Sequence, residues 1–146
     1  MALTGDPETS KHADWAQKQI DQIVDTGTTE GVHVKGSPVV LITYRGRKSG
    51  KLRHLPCMRV EHDGSYACVA SKGGAPRNPG WYTSLRDEPN VELQDGTVTQ
   101  DYVARVVTGD ERAAWWARAI TAYPDYADYQ QKTDREIPVF VLEPQN

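Results

Sequence analysis

The sequence predicts a mainly β protein with peripheral helices: about six mostly antiparallel strands, closed or nearly closed into a barrel. Three observations carry this. Asp63-Gly64 and Asp95-Gly96 each lie between β-rich runs, the strongest short-range hairpin signal. Strand-like runs do not alternate with long helices, as a doubly wound sheet would require. The 146 residues make one domain's worth of chain, long enough to bury a core without disulfide staples.

In chain order, residues 1–9 read as frayed. Ala13, Ala16, Ile20, Ile23 and Val24 recur at helical spacing, predicting an amphipathic helix from Ser10 to about Asp25, ended near Gly27. Residues 26–37 read as a linker, so residues 1–37 form a helical lead-in and residues 38–146 the barrel. Strands are expected at Val39–Tyr44, Leu52–Glu61, Ser65–Lys72, Asn90–Gln94, Val98–Val107 and Pro138–Leu142. Asn78 with Pro79 reads as the start of a short helix to Asp87. Thr108-Gly109-Asp110-Glu111 has the form of a capping box opening a helix to about Ala122, and Asp125–Lys132 follows as a further helical piece.

Charge narrows the function classes. The net charge is −3, yet residues 45–59 carry +6 with no acid: Arg45, Arg47, Lys48, Lys51, Arg53 and Arg59. A basic island on an acidic chain suits a small anionic ligand and argues against a nucleic-acid partner, which needs a wide basic face. No apolar run approaches the roughly eighteen residues of a membrane span, and Met1 to Ser10 lacks a secretory h-region. The expected compartment is the cytoplasm.

Cys57, Cys68 and the four histidines show no metal-ligand spacing, so no metal is expected. Extending the Asp63-Gly64 hairpin places Cys57 opposite Ala70 and diagonal to Cys68, roughly 7–8 Å apart and beyond disulfide reach. Both are read as reduced thiols.

Gly46-Arg47-Lys48-Ser49-Gly50-Lys51 concentrates cations, a hydroxyl and open backbone in one turn. It is not a P-loop: three residues, not four, separate the glycines, and Leu52 follows the lysine. Ser71-Lys72-Gly73-Gly74 supplies a second such segment, and the two turns together suggest an anion site; a solvated basic turn is the alternative. Tyr123, Tyr126 and Tyr129 fall within an arc of about 120° on a helix. They fit core packing or an aromatic wall for a planar ring.

Gly46 to Arg53, the stretch Val69-Ala70-Ser71-Lys72-Gly73-Gly74-Ala75 with Trp81-Tyr82, and Tyr123-Pro124-Asp125-Tyr126-Ala127-Asp128-Tyr129 resemble the deazaflavin-dependent nitroreductase family. These are largely mycobacterial split β-barrel proteins, FMN-binding-like in fold, that use reduced coenzyme F-420. The resemblance runs from about Pro38 to Pro144. It implies that Arg47, Lys48, Ser49 and Arg53 hold the cofactor's phosphate and acidic tail. Leu55, Pro56, Cys57 and Met58, with His54, would border the deazaflavin from one strand. Val69, Ala70, Ser71 and Lys72 would line it from another, and Gly80, Trp81 and Ser84 from the short helix. Tyr123, Tyr126 and Tyr129 would close the substrate side, Tyr126 nearest the ring. Tyr44 and Arg45 stand where the family usually has small hydroxylated residues, Leu52 where proline is common, and Gly80 where a bulkier residue faces the pocket.

The expected activity is hydride transfer from reduced coenzyme F-420 to a planar electrophile: a quinone, an activated enone or a nitroaromatic ring. Tyr126 or Ser71 would donate a hydrogen bond to the oxygen where charge develops, and Tyr123, Tyr126, Tyr129 or water would deliver the proton. The alternatives are a coenzyme F-420 carrier without turnover, or an FMN-binding reductase on the same barrel. Expected partners are the small planar acceptor and no nucleic acid, in a monomer or homodimer; a quinone acceptor would favour peripheral membrane contact.

Overall fold

The structure, a computed structural model, describes residues 14–145 apart from positions 48, 75 and 77. The expected fraying of residues 1–9, the helix start at Ser10 and the placement of Lys48 lie outside the described residues. Helix α1 (Asp14–Thr26) ends at Gly27, whose φ is +76° and whose N–H bonds the Ile23 carbonyl over 2.8 Å. The stretch read as a linker holds a short strand, β1 (His33–Val34), folded back on the start of β2 (Ser37–Arg45). Its turn is Lys35-Gly36, both at positive φ, a pair without the Asn or Asp that marks such turns in sequence.

The run expected as one strand from Leu52 to Glu61 is two: β3 (Leu52–Met58) and β4 (Glu61–His62). At the break, the Arg59 N–H still bonds the Pro38 carbonyl, while the Val60 carbonyl accepts from Ala67 N–H. The chain thus changes partner, from β2 to β5 (Ser65–Val69). The Asp63-Gly64 turn forms as expected, with both residues at positive φ and His62 opposite Ser65. Because the ladder does not continue past the break, the expected cysteine register fails. The Cys57 and Cys68 sulfurs lie 3.3 Å apart, both as free thiols.

After β5 come a 3-10 turn (Lys72–Gly74), α2 (Trp81–Asp87), β6 (Asn90–Asp95), β7 (Val98–Val107), α3 (Gly109–Ala122), α4 (Asp125–Gln131) and β8 (Val139–Pro144). Two expected caps differ in detail. Gly80, not Asn78, precedes α2, and Asn78 instead accepts from Arg135. Thr108 does precede α3, but its side chain makes no capping bond, and Glu111 binds Arg105 from outside the helix.

Strands run antiparallel in the order β1-β2-β6-β7-β8-β5-β4, with β3 on β2. Among the described residues the eight strands exceed the expected six by two two-residue strands. Among the described residues no ladder joins β3 to β5, so the sheet curls into a barrel left open along that seam. Side chains alternate faces along each strand. Val39, Leu41, Val139 and Val141 enter one buried cluster with Ile20 and Ile23 of α1, Trp115 and Ala119 of α3, and Tyr126 of α4. Val40, Ile42, Phe140 and Leu142 enter the other, with Leu85 of α2. Burial on both faces explains why β2 and β8 read as unbroken apolar runs. No helix among the described residues is long and apolar enough to cross a membrane.

Candidate active site

The open seam leads into a cavity of about 550 Å³. That lies within the usual range for small-molecule sites, roughly 300–1,000 Å³. β3 contributes Leu55, Pro56, Cys57 and Met58, so the strand's unpaired edge forms one wall. Val69, Ser71 and Lys72 enter from the end of β5, Trp81 from α2, and Tyr123, Tyr126 and Tyr129 from the α3–α4 corner. Ala16 and Gln19 of α1 close the remaining side; the Gln19 amide donates to the His33 carbonyl at 3.4 Å.

The tyrosines form one interlocked group. The Tyr123 and Tyr126 ring centroids are 5.1 Å apart at 75°, and Tyr126 meets Tyr129 at 6.2 Å and 73°. These edge-to-face arrangements suit aromatic quadrupoles. Burial pushes the Tyr126 phenol well above its ordinary range. Burial, then the hydrogen bond with Tyr129 at 3.3 Å, does the same for Tyr123. Both phenols therefore keep their protons at any physiological pH and remain donors. The choice between core and wall dissolves: Tyr123 and Tyr126 are buried in the core cluster and also line the cavity.

The strand end opposite is held by Arg135. Its guanidinium donates to the Ala70 and Ser71 carbonyls, at 3.2 and 2.9 Å, and to Asn78 Oδ1 at 2.8 Å. This fixes the backbone from which Ser71 and Lys72 project. Gly74 then passes against α4 at φ +84°, so close that a Cβ would lie 2.6 Å from the Tyr129 carbonyl oxygen.

The basic turn sits beside the cavity rather than in it. Gly46 is buried, and a Cβ there would lie 2.9 Å from Ser49 Oγ and 3.0 Å from Arg53 Nε. Glycine at this position thus lets Ser49 and Arg53 close over the turn. The Arg47 N–H bonds Ser84 Oγ at 3.0 Å, and its side chain pairs with Asp87 at 2.7 Å, docking the turn on α2. Strand alternation puts Arg53, Leu55 and Cys57 on one face of β3, so a track runs from the turn to the cavity wall.

Of the residues singled out in the sequence, eleven line the cavity: Leu55, Pro56, Cys57, Met58, Val69, Ser71, Lys72, Trp81 and the three tyrosines. Arg47, Ser49, Arg53, His54, Ala70, Gly80 and Ser84 do not. His54 Nδ1 meets Thr43 Oγ1 at 3.0 Å across the β2–β3 ladder, and Ala70 is fully buried under Arg135. The sequence reading missed Gln19 and Arg135. The helical spacing around Ile20 places Gln19 beside the apolar stripe, but no local signal marks Arg135.

An antiparallel barrel open at one seam, with a ring-sized aromatic cavity in the opening and cations along a bordering strand, is the design of split-barrel flavin and deazaflavin reductases. Sequence comparison makes this specific. The model for the F420H(2)-dependent quinone reductase family matches residues 15–144, and the chain belongs to that family. Reduced coenzyme F-420 is accordingly its cofactor. A putative F420H(2)-dependent quinone reductase of Mycobacterium tuberculosis is 37% identical over 110 residues, covering 75% of this chain and 92% of that protein. A solved F420-H2 dependent reductase, FDR-A, is 54% identical with a TM-score of 0.70, covering 77% of this chain and 100% of that one. A structure described as a domain-swapped dimer is 53% identical with a TM-score of 0.72, covering 89% and 98%.

The cavity and its surroundings fit such a cofactor. The apolar and aromatic lining suits a planar ring, and the Arg53–Leu55–Cys57 face offers a charged arm a route from ring to cations.

Proposed function

We propose that this chain reduces a planar electrophile at the tyrosine-lined cavity, with a quinone as the main acceptor and activated enones or nitroaromatic rings as further ones. The observation that carries this is the placement of Tyr123, Tyr126 and Tyr129 across the cavity from the unpaired edge of β3. When bound, the cofactor supplies a hydride at its C5 position.

The chain's own residues supply position, charge and protons. Arg53, Ser49 and Lys48 hold the phosphate and acidic tail, with Arg47 joining them to α2 through Asp87 and Ser84. Leu55 to Met58, Val69 and Trp81 flank the ring, while Arg135 keeps Ser71 and Lys72 at its edge. Tyr126 donates its phenol O–H to the acceptor oxygen, where negative charge develops. Tyr123 and Tyr129, 3.3 Å apart, supply a phenol pair that replaces that proton. Ala16 and Gln19 of α1 exclude water from the acceptor side. The homodimer is favoured over the monomer by the 53% identical relative described as a domain-swapped dimer.

The test is steady-state oxidation of reduced coenzyme F-420 by menadione, cyclohexenone and a nitroaromatic compound, alongside equilibrium titration with coenzyme F-420 and FMN. Turnover with menadione and preference for the deazaflavin are expected. Tight binding without turnover would return the carrier reading, and preference for FMN the flavin one.

A further inference from the structure

Two cysteines that the expected hairpin register holds just beyond disulfide reach meet at the seam of the barrel. The Cys57 and Cys68 sulfurs are 3.3 Å apart, within S–H···S contact. A disulfide needs about 2.05 Å, so the sulfurs must close by little more than 1 Å. They lie on β3 and β5, which share no ladder among the described residues, so the Cys57 sulfur meets β5 through the Cys68 sulfur and the Val69 backbone N–H rather than through strand pairing.

The two thiols differ in access. Cys57 is half-buried and forms part of the cavity wall, whereas Cys68 is wholly buried behind it. We propose that Cys57 and Cys68 form a redox-sensitive dithiol: Cys57 is a modification site for small disulfides entering the cavity, and Cys68 resolves the adduct into an intrachain disulfide. The hydrogen bond between the two sulfurs lowers the Cys57 thiol toward its thiolate, while the same contact, then burial, raises Cys68.

The chemistry balances with a low-molecular-weight disulfide as oxidant. The Cys57 thiolate attacks one sulfur of that disulfide, forming a protein mixed disulfide and releasing one small thiolate. Cys68 then gives up its proton and attacks Cys57 Sγ, releasing the second. Two protein thiols lose two protons and two electrons, and the small disulfide becomes two thiols. The product ties β3 to β5 at the cavity wall. None of this depends on the acceptor or on turnover, so it stands or falls separately from the proposed function.

The test uses the full chain, without cofactor, and hydroxyethyl disulfide as a small neutral probe. In the wild type, thiol titration should fall from two per chain to none. The intact mass should drop by two hydrogens with no adduct, and a peptide map should join Cys57 to Cys68 within one chain. Dithiothreitol should reverse all three. Cys68→Ala should instead retain a stable mercaptoethanol adduct on Cys57, and Cys57→Ala should take up none while folded. Persistence of both thiols, an adduct that remains on wild-type Cys57, a crosslink between chains, or native labelling of Cys68 in Cys57→Ala would each overturn the proposal. The wild-type measurements decide the matter even if a variant fails to fold.

Discussion

Gly74→Ala tests whether the strand end bearing Ser71 and Lys72 reaches the tyrosine helix only because one residue has no side chain. Gly74 lies at φ +84°, where an L side chain costs about 1–2 kcal/mol. A Cβ would also stand 2.6 Å from the Tyr129 carbonyl oxygen, 2.9 Å from Lys132 Cβ and 3.1 Å from Tyr129 Cα. None of these is a flexible tip that can swing aside, and overpacking of this kind costs about 1–3 kcal/mol more. Gly64→Ala is the matched control. Its φ is +82°, but nothing lies within 4 Å of the added carbon. The difference between the two variants therefore isolates the steric contribution.

Urea unfolding should show Gly74→Ala less stable than Gly64→Ala by about 1–3 kcal/mol, and thermal unfolding a gap of about 3–12 °C. Since α4 carries Tyr126 and Tyr129, its displacement should also slow turnover in Gly74→Ala, but not in Gly64→Ala. Equal stability of the two variants would refute the close approach.

Tyr126→Phe removes a donor without emptying the core. Stability should change by less than about 1.5 kcal/mol, while single-turnover oxidation of the reduced cofactor slows by about 10- to 100-fold; an unchanged rate would remove Tyr126 from the chemistry. Arg53→Ala should weaken cofactor binding about tenfold or more, through loss of charge-assisted bonds to the acidic arm. Asp87→Asn should strengthen it, since Arg47 is released from its ion pair. Both partners of that pair are more than a third exposed, so solvent screening limits the gain to about two- to fivefold in a fluorescence titration at low salt. Glu92 faces Asp101 across the β6–β7 ladder, and burial, then that neighbour, raises its carboxyl pKa. The native state thus binds the proton more tightly than the unfolded chain, and stability falls as pH rises through the carboxylate range. Glu92→Gln should gain about 0.2–1 kcal/mol at neutral pH, and the gain should vanish below about pH 4. A gain independent of pH would assign the effect to something other than charge.

What the sequence determined by itself was local. Asp63-Gly64 announces its turn because positive φ is a property of one or two residues. The second turn falls one residue later than expected, at Gly96-Thr97, since Asp95 still pairs with Val98 and, of these residues, Gly96 alone takes positive φ. Val39–Ile42 and Val139–Leu142 announce strands buried on both faces because alternation disappears when each face meets a cluster. The tyrosine spacing put Tyr126 and Tyr129 on one helix, although Tyr123 stands in extended backbone at the α3–α4 corner outside it, and the charge count showed where cations concentrate.

The tertiary structure alone decided what those parts face. Arg47 turns to Asp87, forty residues on, and Arg135 clamps Ala70 and Ser71 from sixty-five and sixty-four residues away. The break at Arg59 and Val60 leaves no mark in composition, yet it opens the seam, exposes the edge of β3 and brings Cys57 to Cys68. Backbone preference is set by a residue and its immediate neighbours, whereas a cavity and its charges are set by which distant surfaces the curled sheet brings within a few ångströms.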